Sequence, residues 1–201
     1  MTLRQLVLWR HGETDFNAAR RIQGQLDSKL TPTGLRQACR ATRWLAELKP
    51  GVLMTSDLSR AGDTAAVLAA ETGIPLRVDK RLRETNCGTW QGLTHAEVET
   101  LWPGDLQTWR GNPQWAPPGG ETRVEVAARA AHVVAELDAD CPGIAVLCTH
   151  GGLIAGLTPL PLGIPVSAWS VFAGISNCHW TVLTRCGSSW RLFSYNSAAP
   201  V

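Results

Sequence analysis

The chain is punctuated by short apolar runs that stop abruptly at charged or small polar residues. Leu6-Val7-Leu8-Trp9 runs into Arg10-His11-Gly12-Glu13-Thr14, and four consecutive apolar residues bounded in this way predict a buried strand. Val52-Leu53-Met54-Thr55 before Ser56-Asp57-Leu58-Ser59-Arg60 repeats the arrangement, as does Ile144-Ala145-Val146-Leu147-Cys148-Thr149 before His150-Gly151-Gly152. Leu76-Arg77-Val78 reads as an edge strand, and residues 178–184 and 190–195, separated by Gly187-Ser188-Ser189, read as a hairpin. Helical periodicity fills the intervals. Leu30-Thr31-Pro32-Thr33-Gly34 opens a helix through about Leu48, with a threonine available as N-cap and Leu35, Ala38, Thr42, Leu45 and Leu48 expected to face inward; a second covers 58–71 and is closed by Gly73 and Pro75. A third, over 121–137, repeats Val124, Ala127, Ala128, Ala131, Val134 and Leu137 at helical spacing. A helix from about Leu153 is cut short by Pro159, Pro161 and Pro165. Strands alternating with helices predict a three-layer α/β/α sandwich with a mostly parallel central sheet.

Two segments depart from this rhythm. Residues 13–31 form a long polar loop carrying Asn17, Arg20, Arg21, Gln23, Gly24 and Asp27, and loops of that length in a compact domain are usually functional or mobile. Residues 85–120 are rich in Trp, Pro and Gly, with one short helix at 94–101; Trp90, Trp102, Trp109 and Trp115 need something to bury against, which predicts a lid inserted into the main fold. The 201 residues suit one domain over 1–201, and 44% hydrophobic against 18% charged residues is the balance of a folded protein. A net charge of +2 without basic clusters argues against nucleic acid or an anionic membrane as partner. The start, Met1-Thr2-Leu3-Arg4-Gln5, has no leader pattern and no apolar run reaches membrane-spanning length, so a cytoplasmic protein is expected. Six cysteines without CxxC spacing predict reduced thiols, and five histidines without HxH, HxxxH or HExxH spacing give a metal site little support.

The chemistry lies at the strand ends. Arg10 and His11, then Arg60 shortly after the second strand, then His150, are delivered to one edge of a parallel sheet, where ligands gather. Two arginines and two histidines around one point describe a pocket for a doubly charged anion, with guanidinium forks matched to phosphate oxygens. A histidine can attack phosphorus and form a phosphohistidine that water then hydrolyses. His11 must be neutral for this, a form that Arg10 and Arg60 favour by disfavouring imidazolium. Gly12 is expected to let the backbone approach a bound group. The leaving oxygen needs a proton, and Glu84 is the candidate acid, with burial near an apolar lid expected to keep it protonated.

Arg10-His11-Gly12-Glu13-Thr14 with Asn17, Ser56-Asp57-Leu58-Ser59-Arg60-Ala61 with Thr64-Ala65, Arg83-Glu84 with Gly88-Thr89-Trp90-Gln91-Gly92, and Thr149-His150-Gly151-Gly152 resemble the histidine phosphatase superfamily, also called phosphoglycerate mutase-like. The resemblance implies that fold and a metal-independent phosphomonoesterase that needs no cofactor and acts on a small-molecule phosphate ester. It implies His11 as nucleophile, Arg10, Arg60 and His150 around the phosphoryl group, and Glu84 as proton donor. Asn17, Gln23 and Gly24 would border the phosphate and the substrate entrance, with the Gly151 N–H as a further donor. Arg81-Leu82-Arg83-Glu84-Thr85, Trp90-Gln91-Gly92-Leu93-Thr94-His95 and Trp115-Ala116-Pro117 with Gly119-Gly120-Glu121 are similar to a subgroup, the actinobacterial glucosyl-3-phosphoglycerate phosphatases. That likeness implies a homodimer and a sugar-linked substrate, with one or two of Trp90, Trp109 and Trp115 facing the sugar. His95, His132 and His179 are read as structural or exposed. Two alternatives stay open on the sequence: a phosphoglycerate mutase-type transfer, and a non-catalytic sensor that binds a phosphorylated ligand.

Overall fold

The computed structural model describes residues 3–141 and 143–200; Met1 and Thr2, part of the start read for a leader, lie outside the described residues. Six strands form one sheet: β1 (Gln5–Arg10), β2 (Val52–Thr55), β3 (Leu76–Val78), β4 (Ile144–Thr149), β5 (Trp180–Cys186) and β6 (Ser189–Ser197). They lie in the order β3-β2-β4-β1-β5-β6, with the first four parallel and the β5–β6 hairpin antiparallel at one side. Side chains alternate along β1. Leu6 and Leu8 enter one apolar core, and Val7 and Trp9 enter the other, so a continuous apolar run is what a strand covered on both faces requires.

The chain contains α1 (Asp15–Ala18), α2 (Pro32–Glu47), α3 (Ser59–Thr72), α4 (His95–Leu101), α5 (Asp105–Gly111), α6 (Arg123–Asp140) and α7 (Gly151–Leu157). α2 and α3 cover the face of Val7 and Trp9, burying Ala38, Leu45, Ala65 and Leu68; α6 and α7 cover the other with Val126, Ala130, Val133 and Leu153. The starts are written locally. The Thr31 hydroxyl accepts the Gly34 N–H with proline at the first helical position of α2, and Thr122 with Glu125 forms a capping box on α6. Gly73, at φ 71, closes α3 in the left-handed conformation that glycine adopts without steric cost.

Several expectations need correction. Leu35 is 46% exposed, since α2 turns Gly34, Ala38, Ala41, Thr42 and Leu45 inward. The buried stripe of α6 is Val126, Ala127, Ala130, Val133, Val134 and Leu137, while Ala128 faces solvent; alanine is equally at home on either face and misplaces the phase. The long loop is interrupted by the single turn of α1, and α7 starts at Gly151, two residues early. The inserted segment holds a second helix, α5, and its tryptophans form their own small core: Trp102, Trp109 and Trp115 surround the buried Trp90 at ring-centroid distances of 6.3, 5.8 and 5.5 Å. The base of the insertion is closed by backbone bonds from Thr89 N–H to Pro118 O (3.0 Å) and from Glu121 N–H to Asn86 O (2.8 Å). Among the described residues, no helix is long and apolar enough to cross a membrane.

Candidate active site

The parallel register of β1 and β4 sets Arg10 beside Thr149, so the next residues, His11 and His150, leave the sheet side by side. Their ring centroids are 5.2 Å apart. His11 is buried, and its Nδ1 lies 2.7 Å from the Gly12 carbonyl, which accepts a proton from Nδ1 and leaves the Nε2 lone pair free. The Arg60 Nε–H approaches that lone pair at 3.3 Å. Burial above all, then Arg10 and Arg60, hold His11 well below the ordinary histidine value of 6.5; a nucleophile needs that neutral ring. His150 is depressed in the same way, by burial and then by Arg60, His11 and Arg10. One of its nitrogens, Nε2, is 2.8 Å from Ser56 Oγ, and the other, Nδ1, is buried without a partner among the described residues.

The two arginines are built in. Arg60, in the first turn of α3, is fully buried; its Nη1 and Nη2 donate to the carbonyls of Leu26 (2.9 Å) and Gly24 (2.7 Å), tying the long loop to the site. Burial lowers its guanidinium to about 10, which leaves it charged at neutral pH. The Nη1 of Arg10 donates to Ile175 O (2.6 Å), and its Nε is buried without a partner among the described residues. Glu84 is half-buried. It is not sunk in an apolar lid as expected: its carboxyl accepts the N–H groups of Thr85 (2.8 Å), Gly152 (3.1 Å) and Leu153 (3.1 Å), which fixes it at the start of α7. A Cβ on Gly152 would lie 2.5 Å from Glu84 Oε1, so only glycine leaves room for this arrangement.

Arg10, His11, Asn17, Gln23, Gly24, Arg60 and Glu84 line one cavity of about 390 Å3, large enough for a small metabolite. The structure thus brings together seven of the nine residues expected there. His150 and Gly151 are not among the lining residues: His150 is buried with Nε2 on Ser56 Oγ, and a Cβ on Gly151 would meet Arg10 Nε at 3.4 Å. Asn17 Oδ1 receives the Thr14 N–H (3.2 Å) and Asn177 Nδ2 (3.0 Å), while Gln23 Oε1 receives the hydroxyls of Thr14 and Ser28, so both amides are oriented by their surroundings. Gly12 packs closely on the start of α2, where a Cβ would sit 2.5 Å from Gly34 O.

Sequence reasoning missed Ser56, Asn177, Thr85, Cys87 and Gly152, and it set aside His95, which lines the cavity. Ser56 was within reach, because it follows β2 as His150 follows β4 in the neighbouring strand. Asn177, which donates to His11 O at 3.1 Å, comes from the loop before β5 and carries no local signature. Of the three tryptophans considered for a sugar, Trp109 lines the cavity. His95 is exposed at the cavity, and partial desolvation, and then Arg110, lower it below the usual histidine value.

A neutral, oriented histidine beside the buried Arg60 and the partly buried Arg10 can accept a phosphoryl group, and a carboxyl in the same cavity can give a proton to the departing oxygen. The chain is 46% identical over 218 residues to a glucosyl-3-phosphoglycerate phosphatase of Mycobacterium tuberculosis, covering 100% of this chain and 98% of the relative. It is 44% identical over 222 residues to the enzyme of the same name from Mycolicibacterium vanbaalenii, with the same coverage. The solved structure of mycobacterial glucosyl-3-phosphoglycerate phosphatase with VO3 superposes at a TM-score of 0.95, with 46% identity over 97% of this chain and 100% of that one. The same mycobacterial phosphatase with inorganic phosphate superposes at 0.92, with 45% identity over 98% of each chain. Residues 6–198 match the histidine phosphatase superfamily (branch 1), and the chain belongs to that superfamily of phosphoric monoester hydrolases.

Proposed function

We propose that the protein hydrolyses a phosphate monoester through a phosphohistidine on His11, and that its substrate is glucosyl-3-phosphoglycerate. The observation that carries the mechanism is the tautomer of His11, whose Nδ1–H is held by the Gly12 carbonyl while Nε2 faces Arg60. In the first step Nε2 bonds to phosphorus, the bond to the leaving oxygen breaks, and that oxygen takes the proton of Glu84. In the second, water attacks the phosphoryl group, gives a proton back to Glu84, and releases phosphate with His11 restored. Arg10 and Arg60 hold the equatorial oxygens, with His150 donating from Nδ1 while Ser56 engages Nε2. The cavity volume and the ring faces of Trp109 and His95 along its lining support a sugar beyond the phosphate, as do the names of the full-length relatives.

Phosphate release in EDTA from glucosyl-3-phosphoglycerate, 3-phosphoglycerate and an aryl phosphate tests both parts, with His11→Ala as control. The glucosylated ester is preferred by a hundredfold or more in kcat/KM, worth about 2.7 kcal/mol in the transition state. Equal rates on all three remove the sugar assignment, and phosphate moved to another oxygen of the product identifies a mutase. An acid-labile, alkali-stable phosphoryl label on His11 in a rapid quench supports the intermediate; its absence during turnover refutes it. Two further readings go with this one. The six free cysteines support a reducing, cytoplasmic setting. The exposed Val171 (73%) and Phe193 (74%) support a homodimer, which sedimentation equilibrium of the wild type against Phe193→Lys reads directly.

A further inference from the structure

The cavity wall carries four arginines, and three are committed to the protein. Arg10 donates to Ile175 O and Arg60 to Gly24 O and Leu26 O, while Arg21 Nη1 donates to Gly92 O (2.7 Å) and to Glu97 (3.3 Å). The fourth, Arg20, has a guanidinium with no hydrogen bond or ion pair among the described residues. The carboxylate on this wall, Glu84, is already held by three backbone N–H groups.

The backbone adds a second, independent observation. Arg20 stands at φ 55, in the left-handed region that suits glycine and asparagine, held there by its own N–H on Asn17 O (3.0 Å) and the Arg21 N–H on Phe16 O (2.8 Å). The turn itself therefore does not call for a long cationic side chain. The side chain is nevertheless exposed and lines the cavity, on a turn that runs from Asn17, also in the lining, to Arg21, which bridges to Thr94 of the insertion. The phosphoryl oxygens are already served by Arg10 and Arg60, so an anion meeting Arg20 is a second group on the same ligand.

We infer that Arg20 is a specificity residue that receives a carboxylate carried by the phosphorylated substrate, selecting phosphorylated hydroxy acids over phosphate esters of neutral alcohols. The inference rests on the phosphomonoesterase reading above. A planar guanidinium suits a carboxylate in a two-point contact, and at a solvent-facing position the selectivity it confers is modest, about tenfold.

The test compares 3-phosphoglycerate with glycerol 3-phosphate, which differ by a carboxylate against a hydroxymethyl group. Arg20→Gly removes the cation and suits the left-handed backbone, so the variant folds with a Tm no lower than that of the wild type. It lowers the preference for 3-phosphoglycerate, as a kcat/KM ratio, at least tenfold, mainly through KM, and Arg20→Lys recovers part of that loss. Calorimetric Kd values for the two esters on His11→Ala protein, with and without Arg20→Gly, read the same selectivity without turnover. A preference within twofold of wild type in both measurements overturns the inference. If the wild type releases phosphate from neither ester nor from glucosyl-3-phosphoglycerate, the phosphomonoesterase reading fails and the binding ratio alone decides the role of Arg20; if it turns over the glucosylated ester only, that reading stands and the binding ratio again decides.

Discussion

Replacing Gly152 with alanine adds one methyl group at the second residue of α7, 2.5 Å from Glu84 Oε1 and 2.7 Å from Thr85 Oγ1. Ordinary contact begins near 3.4 Å, so the Glu84 oxygen has to retreat by about 0.9 Å. The N–H groups of Gly152 and Leu153 hold the carboxyl at 3.1 Å, and a shift of that size stretches both bonds beyond useful length. A misplacement of about 1 Å in a catalytic group costs on the order of 10²-fold, at the lower end of the 10² to 10⁴ that a positioned acid contributes. We therefore expect Gly152→Ala to lower kcat/KM on an alkyl phosphate about 10²-fold, or about 2.7 kcal/mol. The loss of stability should stay small, because Glu84 Oε1 ends a flexible side chain and alanine favours a helix over glycine by up to about 1 kcal/mol, which offsets part of the shift that the buried Thr85 hydroxyl must also make. Steady-state phosphate release on an alkyl and an aryl ester, with a thermal melt of each protein, separates the causes. An aryl oxygen leaves with little help from an acid, so its loss should stay below about tenfold. Equal losses on both esters would mean that the methyl obstructs binding, and wild-type turnover of the alkyl ester would refute the role given to Glu84.

The titration of the histidines gives a further check. His11 and His150 are both held below 6.5 when folded, so the unfolded chain binds more protons below that pH, and the stability they contribute is present above 6.5 and lost as pH falls. Two such groups remove up to about 3 kcal/mol between pH 7.5 and 5.5, and a urea midpoint that is flat or rising over that interval contradicts the assignment. For the thiols, Cys39 and Cys186 are exposed while Cys87, Cys141, Cys148 and Cys178 are buried, and burial pushes Cys178 up to about 12. Mass spectrometry after brief iodoacetamide treatment should count two modified cysteines in the native protein and six in urea; rapid modification of a third shows that the core is looser than described here.

The strand ends were readable because a two-sided sheet writes itself as uninterrupted apolar runs, and the residue after each run has one place to go. That reasoning placed Arg10, His11 and His150, and the parallel register then set the two histidines abreast. Glu84 was readable as a carboxyl near the site, while its anchorage on α7 was not, because the partners are 68 and 69 residues away. The same holds for Asn177, which reaches His11 across 166 residues. α5 escaped notice because Asp105-Leu106-Gln107-Thr108-Trp109-Arg110-Gly111 follows a glycine and is too short to show a period. Arg20 was visible as a loop cation only; its left-handed backbone and its place in the cavity lining belong to the three-dimensional turn.

The contact between Gly12 and Gly34 has a consequence for how this protein can change. The missing Cβ of Gly12 is filled by the backbone of Gly34, and the missing Cβ of Gly34 by that of Glu13. Neither position has room for a side chain, and the two are coupled through the same strand end although 22 residues separate them. A substitution at either one pushes the strand end that carries His11 away from α2, and no second substitution at the partner can restore room that only the absence of a side chain provides. Libraries that diversify the rim in search of new substrates therefore have to hold both glycines constant, along with Asn17, Gln23 and Gly24 on the segment between them.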